Sequence, residues 1–304
     1  MQEPKFVEFE TEDGLFLPGL LYRPQGSKKI LISLHGNGSS SVFYDEFESR
    51  ILANALAKKG ISFLAFNNRG AHIIKKINVK KNGKVERKRF GMAYEKIKDC
   101  ILDIDGAVKY FEKQGFNESF LIGSSTGAYK SCIYNYFKPK NKFISYVLVG
   151  VGDDTGIYYD QLGETKFFNL LNKSKEKIKK GQGEELITDP KLFPEDIFSY
   201  IGFWDVANPD GDYNCFPFFE VINKIKLSKK PLFRYFDSII KPTLVVNGEL
   251  DEYAWGDVPR VINILKKHKP EFTYEIIKGA DHGFLGKGEK LASVVANWLT
   301  LSSG

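Results

Sequence analysis

Cysteine is scarce in this 304-residue chain, which has three: Cys100, Cys132 and Cys215. They lie far apart, so neither a disulfide framework nor the close cysteine spacing of a zinc site is predicted. We expect Cys100 and Cys132, on predicted helices, to be small buried residues. No other cluster has metal-ligand spacing, and the phosphate-binding loop G-x-x-x-x-G-K is absent. The sequence therefore predicts no metal and no cofactor.

Long apolar runs are also missing, since none approaches the ~20 residues that are needed to span a bilayer. Residues 1–5 are polar and lead into a predicted strand, so no secretory signal is expected. Together with the few cysteines, this predicts a cytoplasmic protein without membrane insertion. The hydrophobic content of 42% and charged content of 27% are ordinary for a globular protein. The length fits one large α/β domain that carries an insertion.

Positive charge is in modest excess, with 44 Lys and Arg against 38 Asp and Glu. The excess is local, because residues 75–89 carry eight basic side chains and one acid, Glu86. The pair Asn82-Gly83 lies between alternating segments and predicts an exposed hairpin with a type I′ turn. We interpret this stretch as a solvated face; a membrane surface, a nucleic acid or an anionic substrate is the alternative partner. The stretch lacks interleaved aromatics, and we predict no nucleic-acid partner.

Predicted strands and helices alternate along most of the chain. This alternation predicts an α/β fold with a mostly parallel central sheet, right-handed crossovers and helices on both faces. An antiparallel hairpin over residues 5–23 precedes it. Residues 152–240 break the pattern, because they contain helix-like segments, such as 166–180 and 194–203, and no convincing strand. We therefore predict a core formed by residues 1–151 and 241–304 and a mainly helical cap over 152–240.

A serine lies on a glycine-flanked turn, Gly123-Ser124-Ser125-Thr126-Gly127, between a predicted strand over 119–122 and a predicted helix over 128–137. Glycine at both flanks lets the backbone turn tightly, which leaves the Ser125 hydroxyl exposed at the carboxyl end of the strand. A serine hydroxyl is a poor nucleophile at neutral pH and needs a neighbouring base. The sequence offers one in His282, which follows the predicted strand 273–277.

A carboxylate is the third part of such a site, because it fixes the tautomer of the histidine and stabilises its imidazolium form. Asp251 follows the predicted strand over 241–248. Asp153 and Asp154, after the preceding strand, are the main rivals for this role. Glu249 and Asp281 are near in sequence but fit the end of a strand less well. Among the serines, Ser124 is the nearest competitor of Ser125, although it falls outside the central position of the glycine pattern.

The chain order Ser125, Asp251, His282, each just past a strand, resembles that of the α/β-hydrolase superfamily over nearly the whole length. The resemblance implies the α/β-hydrolase fold with a helical cap. It implies that Ser125 is the nucleophile, His282 the general base and then acid, and Asp251 the orienting carboxylate. It also implies an oxyanion hole formed by the backbone N–H groups of Asn37 and Thr126. His35, before Asn37, is expected to hold this loop by hydrogen bonding.

A narrower resemblance concerns residues 94–103, the serine turn and Gly211-Asp212-Tyr213-Asn214. These segments are similar to a hydrolase branch that includes fungal siderophore esterases. Members of that branch commonly carry His immediately before the nucleophile, whereas this chain has Ser124.

The predicted function is that of a serine hydrolase, most specifically a carboxylesterase that cleaves a small or medium ester through an acyl-enzyme. An aminopeptidase or amidase, a thioesterase, and a ligand-binding protein that keeps the fold without the activity are the alternatives. The partner is then a small-molecule ester, amide or thioester, and the oligomeric state stays open. Segment 152–240 is rich in aromatic residues. These either form a core of their own or line an apolar pocket over Ser125.

Overall fold

A computed structural model describes residues 3–38, 41–81, 83–189, 192–193 and 197–301. The strands are β1 (Lys5–Glu10), β2 (Phe16–Tyr22), β3 (Lys29–Leu34), β4 (Ile61–Phe66), β5 (Lys75–Lys81), β6 (Lys84–Phe90), β7 (Glu118–Ser124), β8 (Phe143–Val149), β9 (Thr243–Gly248) and β10 (Thr273–Ile277). The α-helices are α1 (Glu46–Ala57), α2 (Cys100–Lys113), α3 (Thr126–Phe137), α4 (Asp154–Leu162), α5 (Glu164–Lys179), α6 (Tyr200–Ala207), α7 (Phe218–Asn223), α8 (Arg234–Asp237), α9 (Val258–His268) and α10 (Gly288–Leu301).

Eight strands form one sheet in the order β1-β2-β4-β3-β7-β8-β9-β10. Six of these strands, β4, β3, β7, β8, β9 and β10, pair in parallel with their neighbours. The other two, β1 and β2, add an antiparallel hairpin at one edge. This confirms the predicted mostly parallel sheet. Because the parallel strands all end at the same edge, the residues that follow β3, β7, β8, β9 and β10 are gathered there.

Apolar side chains cover both faces of the sheet, as its alternating pattern requires. On β3, Ile30 and Ile32 belong to a buried cluster that includes side chains of α2, α3 and α9. Leu31, between them, points to the opposite cluster, which includes side chains of α1 and α10. The helices therefore lie on both faces, and the sheet is buried between them.

Segment 152–240 contributes α4 to α8 and, among its described residues, no strand of the eight-stranded sheet. Its buried aromatics join the same apolar cluster as α2 and α3. The division of the chain into a core and a cap stays a prediction. The expected helix over 194–203 is wrong in its bounds, because α6 begins at Tyr200, where the Ser199 hydroxyl accepts a hydrogen bond from the Gly202 amide. Residues 194–196 lie outside the described residues.

The basic stretch 75–89 contains two antiparallel strands, β5 and β6, which form a separate hairpin. Gly83 has a φ of 75°, which glycine adopts without strain. The other residue of the predicted turn, Asn82, lies outside the described residues, so the turn type stays a prediction.

The structure also bears on the cysteines and on membrane-spanning segments. Cys100, Cys132 and Cys215 are all buried and none forms a disulfide. Within the described ranges, no helix is both long enough and apolar enough to cross a membrane.

Glycines let α3 approach the sheet closely where β7 turns into it. A Cβ atom on Gly127 would collide with the carbonyl oxygen of Leu34, at the end of β3. A Cβ on Gly123 would collide with the carbonyl oxygen of Gly127 itself. Because these obstacles are backbone atoms held in a strand and a helix, they cannot swing aside as a side chain could. The position of α3 relative to β7 therefore depends on glycine at 123, and its position relative to β3 depends on glycine at 127.

We predict that Gly127→Ala lowers the free energy of unfolding by about 1–3 kcal/mol, the usual cost of overpacking a tight contact. Urea denaturation measures this change. The matched control is Gly283→Ala, where the added methyl group would meet no atom closer than 3.9 Å. Equal stability of the two variants would show that the contact between α3 and β3 is not constrained by glycine.

Candidate active site

Ser125 lies alone between β7, which ends at Ser124, and α3, which begins at Thr126. Its φ of 54° and ψ of −123° are unfavourable for a residue with a side chain, and such conformations cost about 1–3 kcal/mol. The Ser125 amide donates a hydrogen bond to the carbonyl oxygen of Val149 on β8, at 2.8 Å. The sharp turn is therefore held against the neighbouring strand. Gly36 packs on the other side, where a Cβ would stand 2.9 Å from the Cβ of Ser125.

Asp251 and His282 are in direct contact beyond the ends of β9 and β10. The Asp251 Oδ1 atom is 2.9 Å from Nδ1 of His282. The Asp251 carboxylate also accepts hydrogen bonds from the Asn247 side chain at 3.0 Å and from the Tyr253 amide at 3.0 Å. With only 1% of its surface exposed, Asp251 is fixed in place. An aspartate that accepts the Nδ1 proton leaves Nε2 of His282 free to take up a proton.

The charge state of His282 is set by opposing effects. Burial lowers its pKa, while the hydrogen bond and charge of Asp251, followed by the charges of Glu252 and Asp154, raise it. The net result is a pKa above the ordinary value of 6.5. The ring is packed edge-on against Tyr253, with 4.5 Å between centroids. The Glu252 side chain accepts a hydrogen bond from the His282 amide at 3.1 Å, so the backbone of His282 is anchored as well.

The other acids that the sequence offered make different contacts. Asp153 is buried and accepts hydrogen bonds from the amides of Gly156 at 2.8 Å and Phe219 at 2.7 Å. Burial raises its pKa to about 7. Glu249 accepts from the Gly279 amide and Asp281 from the Leu285 amide. Asp153 therefore caps α4 and ties it to α7, whereas Asp251 contacts the ring of His282.

Ser125 and His282 line the same pocket, which has a volume of about 390 Å³. Thr126 and Asn37, the two predicted oxyanion donors, also lie on its wall. As the first residue of α3, Thr126 has an amide N–H that the helix itself does not use. Their role as donors stays a prediction. The full lining is Gly36, Asn37, Gly38, Met92, Ser124, Ser125, Thr126, Asp154, Ile157, Tyr158, Gln161, Tyr253, His282 and Gly283.

His35 holds the loop that carries Asn37. Its Nδ1 atom lies 2.8 Å from the Gly36 carbonyl oxygen, and its Nε2 atom accepts a hydrogen bond from the Asn68 amide at 3.1 Å. Burial, together with the charge of Lys130, lowers the pKa of His35 to about 3. The imidazole is therefore neutral, with its proton on Nδ1, and it joins the loop to the turn after β4.

A buried ion pair lies behind this loop. Lys130 on α3 has no exposed surface, and its Nζ atom is 2.6 Å from Oε1 of Glu95. The same ammonium group donates to Oδ1 of Asn68 at 3.3 Å. Lys130 thereby connects the helix that follows Ser125 to the turn that holds His35. This residue could not be identified from the sequence, since a lysine on a helix gives no sign that it is buried.

The aromatic residues of segment 152–240 mostly serve as a core. Tyr158 is the one that lines the pocket, and it packs edge-on against Phe198, with 5.4 Å between centroids. Phe167, Phe203 and Phe216 are buried in the shared apolar cluster. For most of these side chains the structure therefore agrees with the first of the two alternatives, a role in the core, and Tyr158 agrees with the second, a place in the pocket. Polar groups that were not expected there, above all Asp154 and Gln161, share the wall instead.

Asp154 is the missed residue with the clearest signal in the sequence. It follows β8, whose carboxyl end lies beside that of β7, and polar residues at such ends gather at the ligand-binding edge of a parallel sheet. From the sequence, Asp154 is expected only as a rival partner for His282. Met92 and Ile157 also reach the pocket, and nothing in their local sequence could have indicated this.

Comparison with known proteins supports the fold. No protein-family model matches the chain, and no curated protein matches it in sequence. Solved structures do match over nearly the full length. The esterase Pf2001 of Pyrococcus furiosus is 20% identical, with a TM-score of 0.57, covering 98% of this chain and 90% of that one. Est1E from Butyrivibrio proteoclasticus, with ferulic acid bound, is 15% identical, with a TM-score of 0.62, covering 97% and 99%.

A third structure has the highest TM-score of these. The α/β hydrolase GrgF from Penicillium sp. sh18 is 16% identical, with a TM-score of 0.65, and the match covers 99% of each chain. The chain therefore has the α/β-hydrolase fold, as its sequence predicted.

We predict that Asp251→Asn lowers the pKa of His282 by about 1–3 pH units, because the ring then loses the charge that opposes the effect of burial. NMR titration of the imidazole measures this pKa. The matched control is Asp281→Asn, which removes a carboxylate next to His282 in sequence that hydrogen-bonds Leu285 instead. An unchanged pKa in Asp251→Asn would contradict the coupling of the two groups.

Proposed function

We propose that this protein is a serine hydrolase that works through an acyl-enzyme, and specifically a carboxylesterase for small esters. One observation carries the proposal: Ser125 and His282 line one pocket, and the ring of His282 is oriented by a buried aspartate. A nucleophile, a base and an orienting carboxylate are the three parts that acyl transfer by serine requires. Ser125, His282 and Asp251 take these roles.

The proposed cycle has two halves. In the first, the Ser125 Oγ atom attacks the ester carbonyl while Nε2 of His282 takes the hydroxyl proton. The carbonyl oxygen becomes an anion, for which the N–H groups of Asn37 and Thr126 are the proposed donors; losing one such donor typically costs about 3 kcal/mol. The C–O bond to the alcohol then breaks, and His282 returns the proton to the leaving oxygen.

Water completes the second half by the same chemistry. His282 takes a proton from water, the resulting hydroxide adds to the acyl carbon, and the bond to Oγ breaks as His282 gives the proton back to Ser125. The acid is released and the enzyme is restored. Every proton in this cycle passes through His282, so the proposed reaction uses no cofactor.

The structural neighbours favour an ester as substrate. Pf2001 is described as an esterase, and Est1E has been solved with ferulic acid bound. Their identity to this chain is low, so the choice of an ester over an amide or thioester is our proposal. The pocket volume of about 390 Å³ lies near the lower end of small-molecule sites, which span about 300–1,000 Å³. A small acyl group fits this volume better than a long fatty acyl chain.

We predict that p-nitrophenyl acetate and butyrate are hydrolysed with higher kcat/KM than the palmitate ester, and that Ser125→Ala abolishes this turnover. Steady-state release of p-nitrophenol measures both. The matched control is Ser124→Ala, which alters the neighbouring serine on the same pocket wall and should retain most of the activity.

The opposite pattern, with Ser124→Ala inactive and Ser125→Ala active, would overturn the assignment of the nucleophile. Wild-type protein without turnover on any ester would overturn the esterase proposal. Amide and thioester substrates would then separate the other hydrolases from a binding protein.

Asp154 should give the pocket a preference for charge. Its carboxylate shares the wall with Ser125 and, against the lowering effect of burial, is one of the groups that raise the pKa of His282. A second negative charge near the substrate attracts a cationic acyl group and repels an anionic one. At the effective dielectric of a protein surface, such an interaction amounts to a few kcal/mol at contact and less at longer range.

We predict that wild type prefers the ω-trimethylammonio derivative of p-nitrophenyl butyrate to the glutaric acid monoester, and that Asp154→Asn reduces the ratio of their kcat/KM values roughly tenfold. For the uncharged substrate p-nitrophenyl butyrate, kcat/KM should change little. The midpoint of its pH profile should fall, because the loss of the Asp154 charge lowers the pKa of His282 and neutral His282 is the active form. The control is Asp160→Asn, on the exposed side of the same helix. An unchanged ratio in Asp154→Asn would contradict a role in selectivity.

A further inference from the structure

We propose that a second cavity, outside the candidate active site, binds an anion that carries phosphate groups. This hairpin cavity has a volume of about 890 Å³ and lies between the hairpin β5–β6 and the residues that follow β1 and β4. Its lining includes the basic hairpin residues Lys76, Lys80, Arg87 and Arg89 and the acids Glu12 and Glu184. None of these residues lines the pocket of Ser125.

The hairpin side of the cavity carries positive charge that the protein does not balance. Lys76 pairs directly across the two strands with Arg89, and Arg87 lies two residues from Arg89, on the same face. Like charges at opposed positions of a two-stranded ribbon are destabilising. Over the described stretches of the chain, no ion pair is formed by Lys76, Lys80, Arg87 or Arg89, whereas Lys88 pairs with Glu86 at 3.3 Å. Solvent or a ligand must supply the counter-charge.

The opposite wall contains carboxylates, but most of them are already occupied. Arg69, which is buried, pairs with Asp13 at 3.1 Å and with Asp99 at 3.7 Å. Glu95 pairs with the buried Lys130. Glu12 and Glu184 also lie on the wall and reduce the positive charge without cancelling that of the four unpaired cations. The charge available to a ligand is therefore positive and is concentrated on the hairpin.

Phosphate suits this arrangement better than a halide, which has no oxygens to accept paired hydrogen bonds, and better than a single carboxylate, which carries only one charge. The planar guanidinium of arginine donates two parallel hydrogen bonds to phosphate oxygens, and here Arg87 and Arg89 share one face of the hairpin. Lys76 and Lys80 add two point charges to the same cavity. Four cations spread over two strands match a group with more than one phosphate or with a doubly charged phosphate ester. A soluble phosphate ester and a lipid headgroup present the same chemistry.

The first experiment measures the binding of inorganic pyrophosphate to the full chain by isothermal titration calorimetry, at low salt and at ~150 mM salt. We expect binding that the triple variant Lys76→Gln, Arg87→Gln, Arg89→Gln weakens at least tenfold. The matched control neutralises three exposed lysines that do not line the cavity: Lys58→Gln, Lys59→Gln, Lys113→Gln. Its affinity should stay within about twofold of wild type. Thermal unfolding checks that both variants are folded.

A second arm distinguishes the sources of phosphate. Sedimentation with vesicles of phosphatidylcholine, with and without one tenth phosphatidylinositol phosphate, tests a lipid headgroup. Pelleting that requires the phosphorylated lipid and is lost in the hairpin variant would support the site with a lipid as its ligand. Binding of neither probe at low salt, or equal loss in the control variant, would overturn the proposal. Ser125→Ala should bind both probes as wild type does, so this result is independent of the proposed hydrolase activity.

Discussion

The candidate site depends on one steric constraint: α3 must start almost in contact with the end of β3. Gly127 lies against the Leu34 carbonyl, and Gly36 lies against the side chain of Ser125. A side chain larger than the hydrogen atom of glycine does not fit at either position. The constraint forces Ser125 into a positive φ and brings the loop of Asn37 beside it. The strain at this one residue is offset by the packing of a whole helix on a buried sheet.

Charge then gives different tasks to two histidines that lie on the same edge of the sheet. Burial and Lys130 lower the pKa of His35 to about 3, and the neutral ring serves as a hydrogen-bonded tie between two loops. Burial lowers the pKa of His282 too, but the hydrogen bond and charge of Asp251 outweigh this effect, and the pKa is raised. The first ring is locked in one protonation state. The second has its pKa raised and keeps Nε2 free of Asp251, as the proposed general base requires.

Much of this arrangement could be predicted from local sequence. Ser125, Asp251 and His282 each follow an apolar strand, and the end of a parallel strand is a position that the sequence reveals. Lys130 could not be predicted, because its burial depends on Glu95, which lies 35 positions earlier in the chain. The aromatics of segment 152–240 gave no indication of which would face the pocket. Among the described residues of that segment, Tyr158 lines the pocket, whereas Phe167, Phe203 and Phe216 fill the space between helices.

The proposed mechanism requires that Ser125 carry the acyl group during turnover. Rapid acid quench of wild-type protein mixed with p-nitrophenyl acetate, followed by peptide mapping with mass spectrometry, tests it most directly. We expect one acetyl group on the peptide that contains Ser125, located at that residue by fragmentation. It should form within the first turnover and be absent in Ser125→Ala. Acetylation of Ser124 instead would contradict this mechanism. So would rapid hydrolysis without an acylated serine on that peptide, both in the wild type and in a His282 variant that is impaired in deacylation.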